Sequence, residues 1–194
     1  MEVVRGVTCT PGFLLLGAVL ALLDGEGVLP WALLAAAVHE LGHYVAVRLL
    51  GGTVKEIRLT ISGGEMVLDR RRPLTYAGEL AAVLAGPGAS LALAWGALRL
   101  GEPGWLPAGL SLCLGWFNLL PVWPLDGGRA LLMILSGFLP HDRATAGVQL
   151  CSLALGTGLL AGGVSILAKG GGATLALMGG WLLCCQIGMG KMEK

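Results

Sequence analysis

Long apolar stretches joined by short polar connections run the length of the chain, and a lipid bilayer is the solvent in which such a pattern folds. Apolar residues make up 55% of the sequence and charged residues only 13%, whereas soluble domains carry about 25% charge. The net charge of +1 offers no attraction to nucleic acid. The expected fold class is an all-α polytopic membrane protein, one membrane-embedded domain over residues 1–194. The 33 glycines suit close helix packing in lipid. The five cysteines form no C-x-x-C pair, and the four that lie in apolar runs read as small buried hydrophobes.

Taken in order, the pattern predicts about six transmembrane helices. The first covers residues 11–23 and reads as a retained helix, because Asp24-Gly25-Glu26 follows it where a cleavage site would need small residues. The second covers 30–50. Residues 53–62 then change character: Ile57, Leu59 and Ile61 alternate with Glu56, Arg58 and Thr60, which is strand periodicity. Gly63-Gly64 supplies a turn and 65–69 a return strand, so a small β-hairpin is expected between helices two and three. The third helix covers 74–100 and carries Gly86-Pro87-Gly88, a kink or a point of close approach. The fourth, 105–138, must break at Pro121 and Pro124 and restart at Asp126. The fifth and sixth cover 144–168 and 172–189.

Six spans beginning inside put eleven of the thirteen Lys and Arg on one side, leaving only Arg99 and Lys169 on the other. By the positive-inside rule both termini are then cytosolic, in a multi-pass protein of a bacterial-type cell membrane. Arg70, Arg71 and Arg72 are expected to meet anionic lipid headgroups.

Within the second helix stands His39-Glu40-Leu41-Gly42-His43. Residues i and i+4 of a helix lie one above the other, so both imidazoles point the same way and make half of a tetrahedral zinc site, with Glu40 beside it. Three His and eight Glu scattered at random would produce this array roughly once in five hundred such chains. The plainer alternative, polar residues sharing hydrogen bonds in a buried helix, has to meet a cost of several kcal/mol in the membrane.

A catalytic zinc site needs a third protein ligand and an open position. Of four aspartates, only Asp126 lies within an otherwise apolar span, and the topology brings it to a depth similar to that of His43. Asp126 either caps the restarted helix or supplies the ligand, or does both; its depth favours the ligand.

The H-E-L-G-H array, followed by Asn118-Leu119-Leu120-Pro121-Val122-Trp123-Pro124-Leu125-Asp126-Gly127-Gly128, resembles the site-2 protease family of intramembrane zinc metalloproteases. The resemblance covers helices two to four. It implies that His39, His43 and Asp126 hold Zn²⁺, that Glu40 is the general base, and that Asn118 helps to position substrate. Where the family often has G-P-x-x-N, this chain has Gly86-Pro87-Gly88-Ala89-Ser90. The 194 residues leave room for neither the PDZ nor the CBS domain of many members. A compact chain of this kind most resembles the sporulation-type branch, which processes a membrane-associated pro-sigma factor.

The expected function is cleavage of a membrane-anchored protein within or near the bilayer by metal-activated water, with regulatory membrane proteins as further partners. An edge strand at 53–62 could hold such a substrate extended, or serve only as an interfacial hairpin. The competing class is an ion-coupled transporter, since a broken helix with intramembrane His and acid also suits an ion path. An inactive membrane scaffold of the same fold is a third reading. No inverted repeat supports the transporter, and an intact Glu40 argues against the scaffold.

Overall fold

A computed structural model describes residues 6–60, 63–69 and 73–189. Contacts divide the chain into two compact units, Met1–Trp116 and Phe117–Lys194.

The first unit contains β1 (Val7–Cys9), α1 (Pro11–Leu23), α2 (Leu29–Leu49), β2 (Val54–Thr60), β3 (Gly63–Leu68), α3 (Tyr76–Leu98) and α4 (Glu102–Asn118) as far as Trp116. Side-chain caps fix the helix starts. The Thr10 hydroxyl accepts from the Phe13 amide, and the Asp24 carboxylate accepts from Val28 and Leu29 at 2.8 and 3.0 Å. Thr75 caps α3 by accepting from Gly78, so that helix starts at Tyr76 and not at the expected residue 74. Helices α2 and α3 run antiparallel in close contact. A Cβ on Gly42 would stand 2.6 Å from both the Ala85 carbonyl oxygen and the Ala89 Cβ, so the small residues let the backbones meet. Below them Val47, Val54 and Ala82 form a buried cluster with Tyr44, Ile57, Met66 and Leu74, which ties the sheet to both helices.

The sheet corrects two expectations. The hairpin of β2 and β3 is present and antiparallel, but β1 joins it in the order β1-β2-β3. β1 pairs parallel with β2 over Val7–Cys9, opposite Ile57, Arg58 and Leu59. β2, which falls within the expected strand, is therefore the central strand, occupied on both sides over Ile57–Leu59, and does not offer a free edge there to a substrate. Thr8 adds a hydroxyl bond to Glu56, and Arg58 bonds the same carboxylate at 3.0 Å. Bonding by Arg58, then by Thr8, lowers the pKa of the half-buried Glu56.

The second unit begins at the end of α4 and contains α5 (Asp126–Ser136), α6 (His141–Ala168) and α7 (Thr174–Met189). The predicted break falls at residues 119–125, where Pro121 and Pro124 end one helix before Asp126 opens the next. Backbone groups freed by such a break need partners inside the protein. Trp123 finds both. Its amide donates to Ser152 Oγ of α6 at 3.0 Å, and its carbonyl accepts from Gln186 Nε2 of α7. Val122, Leu125 and Leu182 close the core around this loop. Gly127 and Gly128 pack so closely on the backbone of Leu119 and Val122 that neither position has room for a Cβ.

The chain is thus mostly helical with a small three-stranded sheet. Among the described residues, Tyr76–Leu98 and His141–Ala168 are long and apolar enough to cross a bilayer, while Pro11–Leu23 and Thr174–Gln186 are apolar but shorter. The polar side chains of α2 dilute its hydropathy, and the break leaves α4 and α5 short, so these do not register as spans by length and composition. Arg70, Arg71 and Arg72, expected at lipid headgroups, lie outside the described residues.

Ser152→Ala leaves the Trp123 amide without its partner. Unfolding in a denaturing-detergent titration should show a loss of about 1–3 kcal/mol; an unchanged midpoint would mean that this bond does not hold the loop.

Candidate active site

His39 and His43 sit one turn apart on α2, His39 buried and His43 half-buried. Their Nε2 atoms face each other at 3.2 Å, with the rings edge to face. Two corners of a tetrahedral zinc site with Zn–N bonds of about 2.0–2.1 Å lie about 3.3 Å apart, so the pair has the spacing to share one ion. Each ring is held through its other nitrogen by α3. His43 Nδ1 lies 2.8 Å from the Ala82 carbonyl oxygen, and His39 Nδ1 lies 3.0 Å from Ser90 Oγ. A carbonyl can only accept, so the proton of His43 resides on Nδ1 and its Nε2 lone pair is left for a metal. Gly86 completes this face of α3, because a Cβ there would run into the His43 ring.

Glu40, half-buried, points toward the sheet. A Cβ on Gly64 of β3 would stand 2.6–2.8 Å from the atoms of its carboxyl group, so the hairpin reaches the acid only because residue 64 is glycine. Spacing within α2 could not disclose this contact, which joins residues 24 positions apart. The turn glycines were the only signal for it.

In the second unit Asn118 ends α4, half-buried, and Asp126 is buried in the first turn of α5. These two residues flank the 119–125 loop. Leu125 occupies the N-cap position, so the reading of Asp126 as the cap gives way. Its carboxylate stands at a helix N-terminus, where the aligned peptide dipoles favour an anion.

Residues 97–159 match Peptidase family M50, a stretch that includes Asn118, the two prolines and Asp126. Stage IV sporulation protein FB of Bacillus subtilis is 33% identical over 142 residues, 68% of this chain and 49% of that protein. Rip3 of Mycobacterium tuberculosis is 34% identical over 188 residues, 86% of this chain and 46% of its own length.

The chain belongs to peptidase family M50.

The zinc metalloprotease MJ0392 of Methanocaldococcus jannaschii is a further relative of this M50 chain, 32% identical over 137 residues, 61% of the chain and 40% of that protein. The chain spans about half the length, or somewhat less, of the curated relatives it matches. A solved structure, the site-2 protease from Methanocaldococcus jannaschii, superposes with a TM-score of 0.70 at 23% identity, covering 96% of this chain and 92% of that one. The fold is that of a site-2 protease.

Gly64→Ala tests the contact between the hairpin and Glu40. The carboxyl group is the free end of a flexible side chain, so it should swing aside while the fold survives. The expected result is unchanged expression and metal content with peptide cleavage slower by about 10²-fold, the scale of a 1 Å misplacement. Wild-type activity in this variant would show that Glu40 does not depend on the space at residue 64.

Proposed function

We propose that this chain is an intramembrane zinc endopeptidase that cleaves a membrane-anchored protein within or near the bilayer, acting as a single protease domain over residues 1–194. The observation that carries this reading is the His39–His43 pair, spaced to share one ion, each ring anchored through Nδ1. Membership of M50 and the zinc metalloproteases among its relatives agree with it.

His39, His43 and Asp126 would hold the ion: two neutral imidazoles and one carboxylate are a donor set that fits zinc and leaves a coordination position open. When bound, zinc supplies Lewis acidity that polarises the scissile carbonyl and lowers the pKa of the attacking water. Glu40 adjoins His39 in sequence but lies about 100° round the helix, where it would serve as base and not as ligand. Its carboxylate takes the proton of the attacking water and delivers it to the departing amine nitrogen. Asn118, beside the 119–125 loop, would hold the substrate backbone. The substrate must be extended, because a helix hides its peptide bonds. The outer edge of β3 is better placed than β2 to pair with it, since Gly64 on that strand touches Glu40.

The proposed setting is a multi-pass membrane protein with six spans and cytosolic termini, supported by the basic asymmetry of its loops. Reporter fusions at Lys194 and within residues 63–72 should read cytosolic, and those at Gly25 and Gly101 external. A C-terminus that reads external would remove one span from the count.

Glu40→Gln separates chemistry from folding. Gln is nearly isosteric but cannot accept the proton, so cleavage of a membrane-anchored reporter should fall by about 10²–10⁴-fold with zinc content unchanged. Cleavage at the wild-type rate would overturn the mechanism.

A further inference from the structure

We propose that Ser90 is a positioning residue for the metal centre, fixing the ring orientation and tautomer of His39 through its hydrogen bond to Nδ1. This inference rests on the zinc reading above and assigns a role to the one position where the chain departs from the G-P-x-x-N pattern.

Ala82, Gly86 and Ser90 are spaced i, i+4 and i+8 and therefore line one face of α3. That face meets the histidines in matched order. The Ala82 carbonyl holds His43 Nδ1, Gly86 yields space to the His43 ring, and the Ser90 hydroxyl lies 3.0 Å from His39 Nδ1. His43 is held by a main-chain oxygen that no substitution can remove. His39 is held here by a side chain, a support that a substitution can remove.

Two serines of α6 show the local alternative. Ser152 and Ser165 donate to the carbonyl one turn back, at 2.7 and 2.9 Å, the common way for a serine within a helix to satisfy its hydroxyl. Ser90 is fully buried, and its bond crosses to another helix. Its slot is closed on the far side by α4, where a Cβ on Gly115 would come within 3.2 Å of the Ser90 Cβ. A serine-sized side chain fills that slot and reaches the ring. With zinc on Nε2 the His39 proton would sit on Nδ1, and the Ser90 oxygen would accept it. Partners of this kind, behind a metal-bound histidine, typically account for about 10–100-fold in metal affinity.

The test compares full-length wild type, Ser90→Ala and Ser111→Ala in detergent. Ser111 is the control, an equally buried serine on α4 whose hydroxyl has no hydrogen-bond partner among the described residues. Chelator competition should show zinc held about 10–100-fold more weakly by Ser90→Ala and as in wild type by Ser111→Ala. Thermal midpoints in excess chelator should be the same for wild type and Ser90→Ala, which separates a metal-positioning role from a packing role. The chain has only three histidines, so ¹⁵N spectra of labelled imidazoles add a direct readout. Zinc-loaded wild type should show His39 protonated at Nδ1 with a slowly exchanging proton, and Ser90→Ala should lose that protection. A wild-type zinc affinity in Ser90→Ala would overturn the proposal. So would a midpoint in chelator that falls as far as the zinc-loaded one, because the serine would then serve packing alone. If wild-type protein takes up no zinc, the metalloprotease reading itself fails, a result distinct from either of these.

Discussion

The packing of α2 on α3 is the constraint on which the rest of the first unit depends. Small residues at Gly42, Ala85, Ala89 and Gly86 let the two backbones approach until histidines on one helix touch the carbonyl and hydroxyl groups of the other. Each imidazole is thus oriented through its Nδ1 by the neighbouring helix. The same approach buries Val47 and Ala82 with Val54, and so anchors the sheet that carries Gly64 to Glu40. One close helix pair thus places both imidazoles and the Glu40 carboxyl group.

In the second unit the constraint is the unpaired backbone of a broken helix. Two prolines free polar backbone groups, and the protein answers with Ser152 and Gln186, one from each of two following helices. The Gly127-Gly128 pair lets α5 restart hard against the loop it has just left. Asp126 is thereby held buried in the first turn of a helix that begins where the loop ends. Its proposed role as a ligand draws on that fixed position and on its chemistry.

Much of this was legible in the sequence, for identifiable reasons. The H-E-x-x-H array and the proline break act through covalent spacing along one chain segment, so helical geometry alone predicts their consequences. The hairpin was legible through alternation at Ile57, Leu59 and Ile61. The pairing of β1 was not: three residues, Val7–Cys9, carry no periodicity, and their parallel register with Ile57–Leu59 is a long-range event. That is why the alternation alone suggests an edge strand, whereas β2 is central. Ser90 stood out only as a departure from a pattern. Its partner, 51 positions away, depends on which faces of two helices meet. The contact between Gly64 and Glu40 is hidden for the same reason.

The central claim is a zinc centre made of two imidazoles and a carboxylate. Zinc K-edge X-ray absorption on the purified full-length chain tests it most directly, because it reports ligand type and bond length in the working protein. The account predicts nitrogen and oxygen neighbours at about 2.0–2.2 Å, outer scattering from two imidazole rings, and no sulfur. A sulfur neighbour at about 2.3 Å, which any of the five cysteines could supply, or scattering from fewer than two rings would contradict it.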